Sequence, residues 1–199
     1  MEISLFGVNV RIGFTFFLVL AILLCFDFKE EIKLALLFSL LHEAGHLSAI
    51  LCLKQRPKLV CFGLFGMTIV EGNITDYNYR QELITALSGP AVNLVFAAAF
   101  LLLFEQFDKT VFLKCFAINA AIALFNLMPV FSLDGGRALE ALLKAKISPQ
   151  NADRIMKLVS FVFVVLIDCF GIYVLIKSEY NFTLIIIGIY LTVLIFTKS

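Results

Sequence analysis

The stretch Leu36–Leu53, "LLFSLLHEAGHLSAILCL", has the length and apolar character of a membrane-crossing helix, yet it carries His42, Glu43 and His46 at its centre. A crossing needs about 17–25 mostly apolar residues. Ionisable groups at that depth cost about 2.5–3.5 kcal/mol each on insertion scales, so they persist where they have a task. Residues four apart on a helix are rotated by about 40° around the axis, so His42 and His46 project from one face. Two imidazoles so placed can hold one zinc ion. The ion lowers the pKa of a coordinated water toward about 7, and a carboxylate at Glu43 can take its proton. A chance occurrence of the motif is the bland alternative. Against it, the chain has 2 histidines and both fall here. Gly45 leaves room beside them, although packing alone would also explain a glycine.

The rest of the chain supports a membrane setting. Of 199 residues, 61% are hydrophobic and 16% charged, and the mean hydropathy is +1.00. Soluble domains run nearer to about 45–50% apolar and about 25% charged. The composition predicts an all-α polytopic membrane protein. A net charge of +1, with no basic run interleaved with aromatics, offers no footprint for nucleic acid. The 5 cysteines are scattered without a Cys-x-x-Cys pair and read as small apolar residues. The acidic start "MEISLFGVNVRIGFTFF" lacks a basic n-region and a small-residue cleavage site, so the first apolar stretch is expected to be retained.

Six apolar stretches are expected to span, at about 10–28, 34–53, 83–104, 111–128, 157–177 and 181–197. Pro90 in "SGP" predicts a kink or break in the third. Between the second and third, "KLVCFGLFGMTIVEGN" (Lys58–Asn73) is β-branched, aromatic and punctuated by glycines. It predicts a small membrane-embedded β-hairpin or re-entrant loop, with a plain connecting loop as the alternative. Six spans place eleven of the 16 Lys and Arg residues on the side shared by both termini. The positive-inside rule makes that side cytoplasmic. The chain is thus expected to be one membrane domain, 1–199, with a catalytic core of about 34–146 and flanking spans.

A catalytic zinc usually keeps three protein ligands and one open position. No histidine remains, so the third ligand must be a carboxylate or a cysteine. In "FNLMPVFSLDGGRALEALL", Pro129 ends a helix, Gly135 and Gly136 permit a tight turn, and a short amphipathic helix follows. Asp134 on that turn can complete the site, or it can simply cap the helix after it, a position that suits aspartate. Asp168, inside the fifth stretch, is the main competitor, with no turn chemistry around it.

In order along about residues 36–142, His42-Glu43-x-x-His46, "SGPAVN", Asn126-x-x-Pro129 and Leu133-Asp134-Gly135-Gly136-Arg137 resemble the site-2 protease family of intramembrane zinc metalloproteases. The short chain looks most like the bacterial branch that processes membrane-tethered sporulation sigma factors. The resemblance implies His42, His46 and Asp134 as ligands of one Zn2+, Glu43 as general base, and Asn126 as a contact for substrate or oxyanion. It implies a strand or loop near Gly63, Leu64, Phe65 and Gly66 that receives unfolded substrate backbone, and a packing role for Ser88-Gly89-Pro90 and Asn93. It also implies an active site near the cytoplasmic side, a membrane-tethered protein substrate such as a pro-sigma factor, and inhibitory membrane partner proteins. Ser132 stands where the family often has proline. The end at Ser199 leaves no room for the C-terminal nucleotide-binding module of some relatives; either that module is absent or the sequence is a piece of a longer chain.

Two other classes are weighed. A metal-ion transporter would use the same four residues but would need a polar path, for which the spans offer chiefly Asn93, Asn119 and Asp168. A catalytically dead scaffold would not need a full metal-and-base set.

Overall fold

The computed structural model describes residues 2–5, 8–12, 29–53, 59–63, 66–70, 79–178 and 183–197. Four strands, β1 (Glu2–Leu5), β2 (Val8–Ile12), β3 (Leu59–Gly63) and β4 (Gly66–Val70), form one sheet in chain order. β1 and β2 pair antiparallel, with Leu5 opposite Val8, and β3 and β4 pair antiparallel down to Gly63 opposite Gly66. β2 and β3 run parallel, with Val10 opposite Val60. Parallel neighbours require a long crossover, and α1 (Glu30–Cys52) lies within it.

The other helices are α2 (Tyr79–Phe107), α3 (Thr110–Asn126), α4 (Asp134–Lys144), α5 (Pro149–Ser178) and α6 (Thr183–Thr197). α1, α2 and α5, with 23, 29 and 30 residues, are long and apolar enough to cross a membrane. At about 1.5 Å per residue each exceeds a hydrocarbon core about 30 Å thick. The chain is an integral membrane protein.

The structure bears on three expectations. To the expected helices, with a hairpin or re-entrant loop within Lys58–Asn73, the structure adds an N-terminal strand pair, and the four strands join in one sheet. Alternating short polar and β-branched residues in "EISLFGVNVRI" carried that signal, and the apolar run after them masked it. The expected first span, 10–28, opens in β2 at residues 10–12, and its remainder lies outside the described residues. α2 runs through Pro90 without a break. A proline inside a helix gives up one backbone bond and crowds the preceding turn, but here it is fully buried, where packing holds the helix.

The chain forms two compact units, Met1–Asn78 with Ser88–Ala123, and Tyr79–Leu87 with Leu124–Ser199. In the first, Phe38 of α1 meets Phe100 of α2 edge-on at 5.6 Å, and Phe100 stacks on Phe112 of α3 at 6.4 Å. In the second, Val130 is packed with Val164 and Ile167 of α5 and Leu191 of α6.

Candidate metal centre

His42 and His46 occupy one buried face of α1, one turn apart. The face is buried because α1 and α2 approach closely at glycines. A Cβ on Gly45 would lie 2.9 Å from the Ser88 carbonyl oxygen and 3.2 Å from Gly89 Cα. Small residues permit such contact between membrane helices, whose association rests on packing rather than on water exclusion. Gly89 in turn sits beneath both imidazoles: a Cβ there would collide with His46 Nε2 and lie 2.7 Å from His42 Nε2. The sequence reading gave Gly45 the space beside the histidines; Gly89 provides it more directly.

The two Nε2 atoms are 3.2 Å apart. Two nitrogens on one tetrahedral zinc, each about 2.0–2.1 Å from it, stand about 3.3 Å apart, so the pair already has ligand spacing. The outer nitrogens are held unequally. His42 Nδ1 lies 2.6 Å from Asn93 Oδ1, whereas His46 Nδ1 lies 3.4 Å from Ser88 Oγ.

Asp134 is placed by its own turn. The chain leaves α3 at Asn126, and Val130 anchors the turn in the apolar core. The Phe131 N–H donates to Ser160 Oγ on α5 at 2.9 Å. α4 then starts at Asp134, and Leu133, not Asp134, occupies the capping position, with no side-chain cap. Asp134 thus stands one position inside the capping site, in the first turn, where a carboxylate suits the helix dipole. Gly135 and Gly136 act differently from the expected turn glycines. They are helical, and a Cβ on either would strike the turn's own backbone, at the carbonyls of Leu127 and Val130 respectively. Arg137, next in the motif, lies 4.0 Å from Glu82.

Among the described residues, His42, His46 and Asp134 each offer one ligand atom within 4.8 Å of the others. Two imidazole nitrogens and one carboxylate oxygen are a donor set that fits catalytic zinc. Glu43 follows His42 on α1 and is half-buried, as is Asn126 at the end of α3. Gly63 and Gly66 face each other at the ends of β3 and β4, and Leu64 and Phe65 lie outside the described residues. Asp168, the competing acid, stands elsewhere: its carboxylate lies against Gly188 of α6. Asn119 is the residue whose part the sequence reading missed. Fully buried in α3, it accepts from Asn93 Nδ2 at 2.9 Å. The available signal was an amide in the middle of the apolar run "CFAINAAIALF".

Residues 106–167 match the model of peptidase family M50. The chain is 29% identical over 142 residues to stage IV sporulation protein FB of Bacillus subtilis, covering 70% of this chain and 49% of that one. It is 25% identical over 158 residues to a zinc metalloprotease of Methanocaldococcus jannaschii, covering 72% and 45%. It thus spans about half the length of these curated relatives. The solved site-2 protease of M. jannaschii shares its fold, with a TM-score of 0.63 at 21% identity over 96% of this chain and 91% of that one. In its motifs, its matched segment and its fold, the chain is site-2-protease-like.

Proposed function

We propose that the protein is an intramembrane zinc metalloendopeptidase that hydrolyses a peptide bond in or near a membrane segment of a protein substrate. The observation that carries this is the convergence of His42, His46 and Asp134 ligand atoms within 4.8 Å, with Glu43 adjacent in sequence. His42, His46 and Asp134 would hold a zinc ion that would supply Lewis-acid polarisation of the scissile carbonyl and a water acidic enough to ionise near neutral pH. Glu43 takes the proton from the attacking water and delivers it to the leaving amine. The Asn126 amide holds the carbonyl oxygen as charge develops on it.

A membrane helix satisfies all its amides internally, so the substrate must unwind locally before attack. β4 is an edge of the sheet. Among the described residues its outer side, in the region Gly63–Val70, offers replacement backbone bonds to an unwound segment by strand addition. In this reading residues 1–199 form one membrane domain with six spans, cytoplasmic termini and a cytoplasm-facing site. The substrate is a membrane-tethered factor of the pro-sigma type, held in check by inhibitory membrane partners. The similarity to the sporulation protein supports that choice.

Co-expression with a tethered candidate substrate tests the proposal. Wild type cleaves it; Glu43→Gln keeps its zinc and loses cleavage by about 10²–10⁴-fold, the usual contribution of a general base. Cleavage that persists in Glu43→Gln rejects the mechanism, and altered metal flux without cleavage favours a transporter.

A further inference from the structure

The amide of Asn93 is directional. Its Nδ2 donates to the Phe38 carbonyl at 3.3 Å and to Asn119 Oδ1 at 2.9 Å. Asn119 is itself oriented, because its Nδ2 donates to the Cys115 carbonyl at 2.9 Å. With Nδ2 committed on both sides, Asn93 turns its oxygen to His42, 2.6 Å from Nδ1. That oxygen can only accept, so His42 carries its hydrogen on Nδ1 and keeps a lone pair on Nε2, the nitrogen that faces His46. Of the two anchors on Asn93, the bond to Asn119 is the shorter and the better formed. Asn93 and Asn119 are both fully buried, so neither amide has water as a substitute partner.

The geometry points to Asn119 as a positioning residue for the metal centre: through Asn93 it fixes the tautomer and ring orientation of His42. Without its acceptor, Asn93 loses the stronger reason to present oxygen rather than nitrogen to the imidazole. An Asn93 Nδ2 turned to His42 would demand a lone pair on Nδ1 and put the hydrogen on Nε2, where it blocks ligation. The inference rests on the metal-site reading above.

The test uses the full chain in detergent, with Zn2+ affinity read by competition against a chromophoric chelator. Outer hydrogen-bond partners of metal ligands typically set affinity by about 10–100-fold, and Asn119→Leu is expected to weaken Zn2+ by that factor. Asn119→Asp, which keeps the acceptor for Asn93 and gives up only the donor to Cys115, restores most of the affinity. Because Asn119 acts through Asn93, adding Asn119→Leu to Asn93→Ala costs no further affinity. Wild-type affinity in Asn119→Leu overturns the inference, as does a double variant whose loss is the product of the single ones. If Asn119→Leu does not fold, judged by metal-free melting, Asn119→Ser takes its place: an acceptor one atom short predicts a loss between those of Asp and Leu, and no loss overturns the inference. A wild-type chain that binds no Zn2+ defeats the metal-site reading itself, whereas a loaded wild type with an equally loaded Asn119→Leu defeats only the relay.

Discussion

Two polar clusters sit within apolar helices and are built on opposite terms. Around His42, each amide of Asn93 and Asn119 has a designated partner, and the series ends on a main-chain carbonyl. Around Asp168, one carboxylate oxygen is buried with no hydrogen-bond partner among the described residues, pressed against Gly188. Both clusters place a titratable side chain in an apolar helix, which a sequence scan scores alike. What separates them is wiring: a buried polar group is costly until its bonds are made, and the wired cluster is the one that carries the candidate ligands.

Glycine substitutions break this comparison most sharply. Gly89→Ala drives a methyl group into His46 Nε2 and toward His42 Nε2, so zinc content of the purified chain should fall to background. Overpacking of this kind typically costs about 1–3 kcal/mol, which a lower melting temperature will register. Gly135→Ala pushes against the Leu127 carbonyl, a main-chain group with nowhere to go. It is expected to destabilise by a similar amount or more and to displace Asp134, again read as lost zinc.

Gly188→Ala meets the Asp168 side chain first. Melting should therefore fall less than for Gly135→Ala, zinc content should hold, and Asp168→Ala in the same chain should rescue the loss. Asp168→Ala alone removes an unpaired buried oxygen, whose burial costs about 1–3 kcal/mol. Unchanged zinc with unchanged or raised melting is expected; zinc loss in that variant would erase the distinction between the clusters.

The smallest effect lies outside the membrane helices, at Lys144. Burial opposes its ammonium, but hydrogen bonds to Glu140 at 2.5 Å and Asp153 at 3.2 Å prevail and hold its pKa above the usual lysine value. Stabilisation from a raised pKa is complete below the unfolded-state value of about 10.4 and is lost as pH rises through the folded one. Pairs this accessible contribute under about 1 kcal/mol. Lys144→Met should lower melting slightly at neutral pH and converge with wild type in strong alkali.

The candidate ligand set was legible in the sequence because its chemistry is local: a four-residue helical spacing, and one acid between a proline and two glycines. The helices at 34–53, 83–104, 111–128, 157–177 and 181–197 were legible because apolar length alone marks them. The pairing of β1 with β2 was not, since residues 1–28 read more strongly as the approach to a span. Nor was the directional use of Asn93 and Asn119, because an amide's donor and acceptor ends are assigned by partners far away in the chain. The glycines showed the same limit: Gly135 and Gly136 announced a turn, but their reason is the close approach of the helix start to the turn before it, which only packing reveals.

The two halves of the centre also differ in how far the chain must search to build them. The acid-bearing turn closes between Leu127 and Gly136, with Gly135 meeting a carbonyl eight positions earlier. The histidine wiring joins residues 51 and 26 positions apart. The entropy of ring closure grows with the logarithm of its span, and contacts between distant residues slow folding. The glycine contacts of the carboxylate arm thus close over a short segment, with Ser160 of α5 anchoring the turn from 29 positions away, while the imidazole arm must wait for three helices to assemble.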